Sequence, residues 1–367
     1  MIRDTAAGLR FARSWLRGRA DVTVEEILVD RGDRTVPATL LLPSRRGHRP
    51  LPGWILLHGT AVPGRAHLQL VRFAKSLAHT GVAVLIPEVP EWKALQLAPG
   101  LTVPTVRAAI PALHAVPGIA AAPVGLIGFS FAAPHALAAG ADPELAPVLG
   151  GIAAFGGYVD LPRTLRFLFL GEHEWRGERF RVAPDPYGRW IVGGNYLHRV
   201  PGHTDAGDVA RALLALAAEA GARGVAASDP GYDPFKRELA AGVAHERQPL
   251  FDLFAPPGGS VPDREAVEAL LEPMVDTIRR VDPLMDPAQR LAGVRVPVRL
   301  VHGRGDVLIP FTETLRTAER MGPDANARVT ITRLFTHSQE DGIPGGVRGV
   351  AESARFVRAL GGVLRMV

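Results

Sequence analysis

Leu126-Ile127-Gly128-Phe129-Ser130-Phe131-Ala132-Ala133-Pro134 is the stretch on which the reading of this chain turns. An apolar run of strand length stops at a small residue, presents a serine, and resumes with small residues suited to a helix start. A serine at the apex of so sharp a strand-to-helix turn takes strained backbone angles, so the residues two before and two after it must be small to avoid collision. Gly128 and Ala132 meet that demand. The helix that follows aims free N–H groups at the space over the serine oxygen, where a developing negative charge is stabilised.

Working outward, Val22 to Val29 and Val36 to Leu42 flank the turn-like Asp30-Arg31-Gly32-Asp33-Arg34 and read as a hairpin at a sheet edge. Gly53 to Leu57 is uniformly apolar, as expected of a central parallel strand covered on both faces. Helical and strand patterns then alternate: a helix near Leu68 to Thr80, a strand from Gly81 to Pro87, a helix from Val103 to Val116, the strand Val124 to Phe129, a helix from Ala132 to Ala139, and a strand at Gly151 to Phe155. Such alternation implies right-handed crossovers and a doubly wound, mostly parallel α/β sheet. From Val159 to Gly293 no comparable strand is visible, and helices are expected at Asp208 to Ala220, Pro234 to Ala241 and Asp263 to Val281. Strands return at Val294 to His302 and Ala327 to Leu334, and a helix from Val347 to Leu364 closes the chain. The expected organisation is one α/β core, residues 1–158 and 294–367, interrupted by a mainly helical cap insertion at 159–293.

Composition narrows the classes. The chain has 367 residues, 47% of them hydrophobic, which suffices for a large buried core. Only Lys75, Lys93 and Lys236 are lysines among 42 basic residues, and the 39 arginines are dispersed among 37 acids without a like-charge run. That dispersal speaks for a compositional preference and against a nucleic-acid surface. With no cysteine, thiolate chemistry and cysteine metal sites are excluded. No stretch of transmembrane length stays free of charge, Pro or clustered Gly. Met1 to Arg19 lacks the apolar core of a signal peptide, and a cytoplasmic location is expected. It places Ile2, Leu9, Ala12 and Leu16 near one helical face and Arg3, Arg10, Arg13 and Arg17 elsewhere. A basic amphipathic helix can touch an anionic membrane, but the expectation for this narrow stripe is packing on the parent domain.

A serine hydroxyl is a weak nucleophile until a base takes its proton, and imidazole, with an unperturbed pKa of about 6.5, is the usual base. A carboxylate then holds the imidazole and stabilises its cation. Both partners appear beyond later strands. Val298 to His302 runs into Gly303-Arg304-Gly305-Asp306, and Val329 to Leu334 runs into Phe335-Thr336-His337-Ser338. Asp306 by itself also suits an ordinary turn, and His337 by itself an ordinary surface histidine; their order after Ser130 is what favours a triad.

The strand ending in His58-Gly59, the Gly128-x-Ser130-x-Ala132 turn, and Gly303-x-Gly305-Asp306 followed by Ile309-Pro310 together resemble the α/β-hydrolase superfamily, over Val22 to Leu364 apart from the insertion. The short His58-Gly59-Thr60 loop is most similar to the esterase and dienelactone-hydrolase-like branch, although true dienelactone hydrolases use a cysteine where this chain has Ser130. The resemblance implies an α/β-hydrolase fold, a Ser130, Asp306, His337 triad, and an oxyanion hole formed by the amides of Phe131 and Thr60, with Ala61 as second choice. It implies a small-molecule ester as substrate and neither cofactor nor metal. Acyl transfer or peptide cleavage on the same triad, or a non-catalytic binding protein, stay open, as does the oligomeric state.

His58 is expected to be structural and His135 to pack. Glu88 and Glu91 are expected in a solvated loop. Glu172-His173-Glu174 lacks the spacing that directs two side chains to one metal. Nine of the 23 aromatic residues fall between Phe155 and Tyr196, so this segment is expected either to line an apolar pocket, with Phe167, Trp175 and Trp190 as candidates beside Ala61, or to form the insertion's own core. Arg163, Arg166 and Arg176 offer weak candidates for binding a substrate carboxylate.

Overall fold

The computed structural model describes residues 2–45, 47–333 and 346–367; of residues 2–5 and 346–351 only the backbone is described. Helix α1 (Ile2–Arg17) leads into strands β1 (Val22–Asp30) and β2 (Thr35–Pro43), an antiparallel hairpin. β3 (Gly53–Leu57), α2 (Leu68–Ala78), β4 (Ala83–Pro87), α3 (Pro90–Lys93), α4 (Thr102–His114), β5 (Val124–Phe129), α5 (Ala132–Ala139) and β6 (Leu149–Phe155) follow. After an insertion come β9 (Val298–Gly303), α12 (Phe311–Met321), β10 (Ala327–Thr332) and α13 (Gly346–Leu364). The insertion itself holds α6 (Leu161–Leu170), β7 (Glu172–Trp175), β8 (Glu178–Arg181), α7 (Tyr187–Tyr196), α8 (Gly207–Arg223), α9 (Asp233–Ala241), α10 (Gln248–Phe254) and α11 (Arg264–Val281).

Eight strands form one sheet in the order β1-β2-β4-β3-β5-β6-β9-β10, antiparallel at β1/β2 and β2/β4 and parallel from β4 onward. β3 and β4 are buried at every position because helices cover both faces, which is why they read as unbroken apolar runs. β1, at the edge, keeps most of its residues exposed. On one face Trp54, Phe73, Phe155 and Val301 pack with Phe11 of α1 and Leu360 of α13; on the other, Leu57, Leu126 and Val106 belong to a core that continues into the insertion.

Two features position a site. The chain winds from β3 to β4 on one side and then to β5 on the other, so β3 and β5 flank the point where the sheet's order reverses. Ligands bind outside the carboxyl ends of the strands at such a point. The parallel register also aligns Phe129, Phe155, Val301 and Thr330 across β5, β6, β9 and β10, so the segments after β5, β9 and β10 leave the same edge.

Three expectations change. The stripe of α1 containing Leu9 and Leu16 is exposed; the helix instead docks through Gly8, Phe11 and Ser14, because Phe11 is the larger apolar group and Gly8 admits close contact with Val357. The insertion is not free of strands: β7 and β8 form a two-stranded hairpin around Arg176-Gly177, whose positive φ angles make the tight turn. The strand expected from Val294 starts at Val298, the residues before it closing a 3₁₀ segment.

Candidate active site

Ser130 stands at the β5–α5 turn with φ +53°, in the left-handed region that non-glycine residues rarely enter. Its N–H donates to Phe155 O at 2.8 Å and its carbonyl accepts from Ala133 N at 2.9 Å, which fixes the turn from both sides. A Cβ at Gly128 would lie 2.5 Å from Ala132 O and 2.8 Å from Ala133 Cα, so only glycine lets α5 fold back this closely on β5. Below the turn, Phe129 stacks on Phe155 at 5.0 Å and both meet the edge of Phe73.

Across the switch point, the loop after β3 approaches so closely that a Cβ on Gly59 would sit 3.2 Å from Ser130 Cβ. Among the described residues no acceptor faces the amides of Thr60 and Phe131. A buried polar cluster holds this loop. His58 Nδ1 lies 2.8 Å from Gly59 O, and its Nε2 lies 3.0 Å from both the Val89 amide nitrogen and Glu88 Oε1. Glu88 accepts from the Arg65 amide at 3.2 Å, with Arg65 Nε at 3.6 Å and Lys93 Nζ at 3.9 Å. Gly64, at φ +53°, leaves room for it, since a Cβ there would be 2.3 Å from Glu88 Oε1. Burial pushes the Glu88 carboxyl up, but the His58 hydrogen bond and charge, the Arg65 amide and Lys93 outweigh it and hold it below the usual carboxylate range. Glu88 and Glu91 are therefore not a solvated pair: Glu88 is buried, and Glu91 binds the guanidinium of the buried Arg31 at 2.9 and 3.0 Å. A lone glutamate after a strand carries no sign that its partners lie in other segments.

Asp306 is buried just past β9. Its Oδ1 accepts from Leu308 N at 2.9 Å and Ile309 N at 3.0 Å, an Asx-type turn. Its Oδ2 lies 3.3 Å from Nε2 of His302, whose Nδ1 is 2.6 Å from Thr314 Oγ1. His302, read from sequence only as the end of a strand, thus braces the turn from within the core. His337 lies outside the described residues, so the structure brings together the Ser130 turn, the Thr60 loop and the Asp306 turn.

The sequence matches no family model and no curated protein. Among solved structures, an acylaminoacyl peptidase from Pyrococcus horikoshii aligns at 9% identity and a TM-score of 0.50, over 94% of this chain and 40% of its own, so the chain spans well under half of that protein. Est1E from Butyrivibrio proteoclasticus aligns at 14% identity and TM-score 0.46, over 86% of this chain and 91% of its own. Esterase Pf2001 from Pyrococcus furiosus aligns at 12% identity and TM-score 0.44, over 86% and 83%. The chain has the α/β-hydrolase fold.

In this α/β-hydrolase fold, Ser130, Phe131, Thr60 and Ala61 form the floor of a cavity of about 870 Å³. Leu161, Leu165 and Leu168 of α6 and Ile191 and Val192 of α7 supply an apolar roof, and Leu308 and Ile309 bring the Asp306 turn to the wall. Phe167, Trp175 and Trp190 do not line it. Phe167 is buried against His173, Trp190 is buried and donates to Phe254 O at 3.0 Å, and Trp175 packs with the guanidinium groups of Arg176 and Arg316. Of the segment's aromatics, Tyr158 and Tyr187 reach the cavity wall, while Phe167 and Trp190 go to the insertion's own core; the roof is aliphatic. Arg163, Arg166 and Arg176 point elsewhere too, pairing with Glu174, Glu268 and Glu319.

A few polar groups mark the wall. Asp185 accepts from the amides of Tyr187 at 2.9 Å and Ala227 at 3.2 Å, donates its own amide to Val307 O at 2.9 Å, and has its carboxyl raised chiefly by burial. Among the described residues, the hydroxyls of Thr60 and Tyr187 and the Gln69 side-chain oxygen, buried at this wall, have no hydrogen-bond partner. His135, five residues past Ser130, packs edge-on to Phe131; complete burial, then the charge of Arg290, lowers its pKa to about 3, so it stays neutral at physiological pH. Among the described residues no group of three His, Asp or Glu side chains is placed to hold a metal, and no helix is long and apolar enough to cross a membrane.

Proposed function

We propose that the chain is a serine hydrolase that cleaves carboxylic esters through an acyl-enzyme. The observation that carries this reading is Ser130 itself: a strained serine at the switch point of the sheet, open to a mainly apolar cavity and facing the Thr60 loop. Strain of about 1–3 kcal/mol at one non-glycine residue is kept only where the surroundings over-determine it, and such residues cluster at functional sites.

In the proposed reaction, His337 takes the Ser130 proton as Oγ bonds to the ester carbonyl carbon. The Phe131 and Thr60 amides donate to the oxyanion, and Asp306 steadies the imidazolium. The carbonyl–alkoxide bond then breaks, the alcohol leaving with the proton held by His337. Water repeats the sequence on the acyl-enzyme, its proton passing through His337, and releases the acid with Ser130 restored. The fixed Asp306 turn, aimed by two amides and backed by His302, suits the orienting role. The insertion serves as a cap, and its aliphatic roof favours acyl groups larger than acetyl.

The test is Ser130→Ala. It is expected to fold normally, to lose at least about 10³-fold in turnover of p-nitrophenyl esters, and to stop reacting with a fluorophosphonate probe. Full activity or labelling of the variant would refute the assignment, and product analysis with a competing alcohol separates hydrolysis from acyl transfer.

A further inference from the structure

Helix α1 has two apolar faces, and only one is used inside the protein. Gly8, Phe11 and Ser14 are buried against the body, while Leu9 is 55% and Leu16 59% exposed. Leu9, Ala12, Arg13 and Leu16 share one side of the helix, being spaced at i, i+3, i+4 and i+7. This outward side runs into the cavity mouth: Ala12, Trp15 and Leu16 line it, together with Leu68 at the start of α2, 77% exposed, and Val225 after α8, 47% exposed. The mouth of an apolar cavity is thus ringed by leucine and valine side chains that face water.

The same helix carries four arginines to one acid. Arg13 and Arg17, and Arg19 just beyond the helix, are exposed and have no carboxylate partner among the described residues. Arg10 spends its guanidinium on the Thr80 carbonyl. An apolar stripe flanked by unpaired arginines is the pattern of a helix that lies in the headgroup plane of an anionic membrane. We propose that the protein docks on an anionic lipid surface through the outward face of α1, with Leu9 and Leu16 entering the interface, Arg13, Arg17 and Arg19 meeting lipid phosphates, and the cavity mouth held against the bilayer. The surface binding stands on the helix alone. That it delivers a lipid-borne ester to Ser130 rests on the hydrolase reading.

The test is co-sedimentation of the full chain with vesicles of phosphatidylcholine, alone or mixed with phosphatidylglycerol. Binding is expected to the anionic vesicles, to weaken with added salt, and to fall about tenfold or more in Arg13→Glu/Arg17→Glu and again in Leu9→Glu, while hydrolysis of soluble p-nitrophenyl acetate is unchanged. Ser130→Ala is expected to bind vesicles like the parent. Failure to bind anionic vesicles, binding indifferent to the arginine reversal, or a dimer in solution that the reversal dissociates would each overturn the docking proposal and leave the hydrolase reading intact. Vesicle binding without ester turnover would overturn the hydrolase reading alone.

Discussion

Replacing Gly128 by alanine tests whether the tight β5–α5 contact is what aims Ser130. The added Cβ would stand 2.5 Å from Ala132 O, about 0.9 Å inside ordinary contact, and 2.8 Å from both Ala133 Cα and Ala136 Cβ. Two of these obstacles are backbone atoms and the third a Cβ, so no side chain can swing aside; α5 must retreat from β5 by a substantial fraction of an ångström. Overpacking of this kind costs about 1–3 kcal/mol. With an unfolding entropy of about 2.1 cal/mol/K per residue over 367 residues, that lowers Tm by about 1–4 °C. The effect on turnover is larger, because α5 carries the Phe131 amide and sets the Ser130 angles. A misplacement near 1 Å costs roughly 10²-fold, so kcat is expected to fall about 10- to 100-fold with little change in KM. Gly118→Ala provides the comparison. Its φ is +83° with nothing within 4 Å of a Cβ, so it costs about 1–2 kcal/mol of backbone strain alone, far from the site. Thermal melts and p-nitrophenyl ester kinetics on the two variants are expected to show similar losses of Tm and a loss of activity only in Gly128→Ala. Equal activities, or an unchanged Tm in Gly128→Ala, would refute the reasoning.

Two further predictions concern buried carboxylates. Glu313 of α12 accepts the Val159 and Asp160 amides at 2.9 and 2.8 Å, where the insertion leaves β6, and burial raises its pKa to about 7 against the opposing pull of those amides. A carboxyl near 4.5 unfolded and about 7 folded binds more protons in the folded state, so stability falls as pH rises from about 4.5 to 7 and levels off above. Glu313→Gln keeps an acceptor for both amides without titrating; denaturant melts across that window are expected to show a shallower decline than the parent, by up to about 3 kcal/mol, and parallel curves would contradict this. Glu88→Ala strips the His58 and Arg65 partners and is expected to cost about 2–4 kcal/mol and to lower kcat more than KM as the Thr60 loop loosens, with Glu88→Gln recovering part of both. Unchanged kcat in Glu88→Ala would show that the loop holds its shape without the carboxylate.

The legible parts of this chain are those whose cause is local. β3, β4 and β5 announce themselves as unbroken apolar runs because burial on both faces leaves no polar position. Ser130 and Gly128 are legible because the turn constrains its immediate neighbours, and Asp306 because an Asx turn uses amides two and three residues on. What depends on partners distant in sequence was not legible. Periodicity groups Leu9 with Leu16, but only tertiary packing decided that Phe11 goes inward and that stripe outward. Composition marks the aromatic cluster of the insertion, yet whether Phe167 and Trp190 face the cavity or their own core is set by how α6 and α7 pack. Glu88 is a buried anchor because His58, Arg65 and Lys93 converge on it, and no stretch of sequence around residue 88 records that meeting. Local pattern sufficed for β3, β4, β5 and the Ser130 and Asp306 turns but not for the β7–β8 hairpin or for α6 and α7; which face is covered, which carboxylate is paired and where the cavity opens follow from long-range packing, because burial and desolvation belong to a side chain's surroundings.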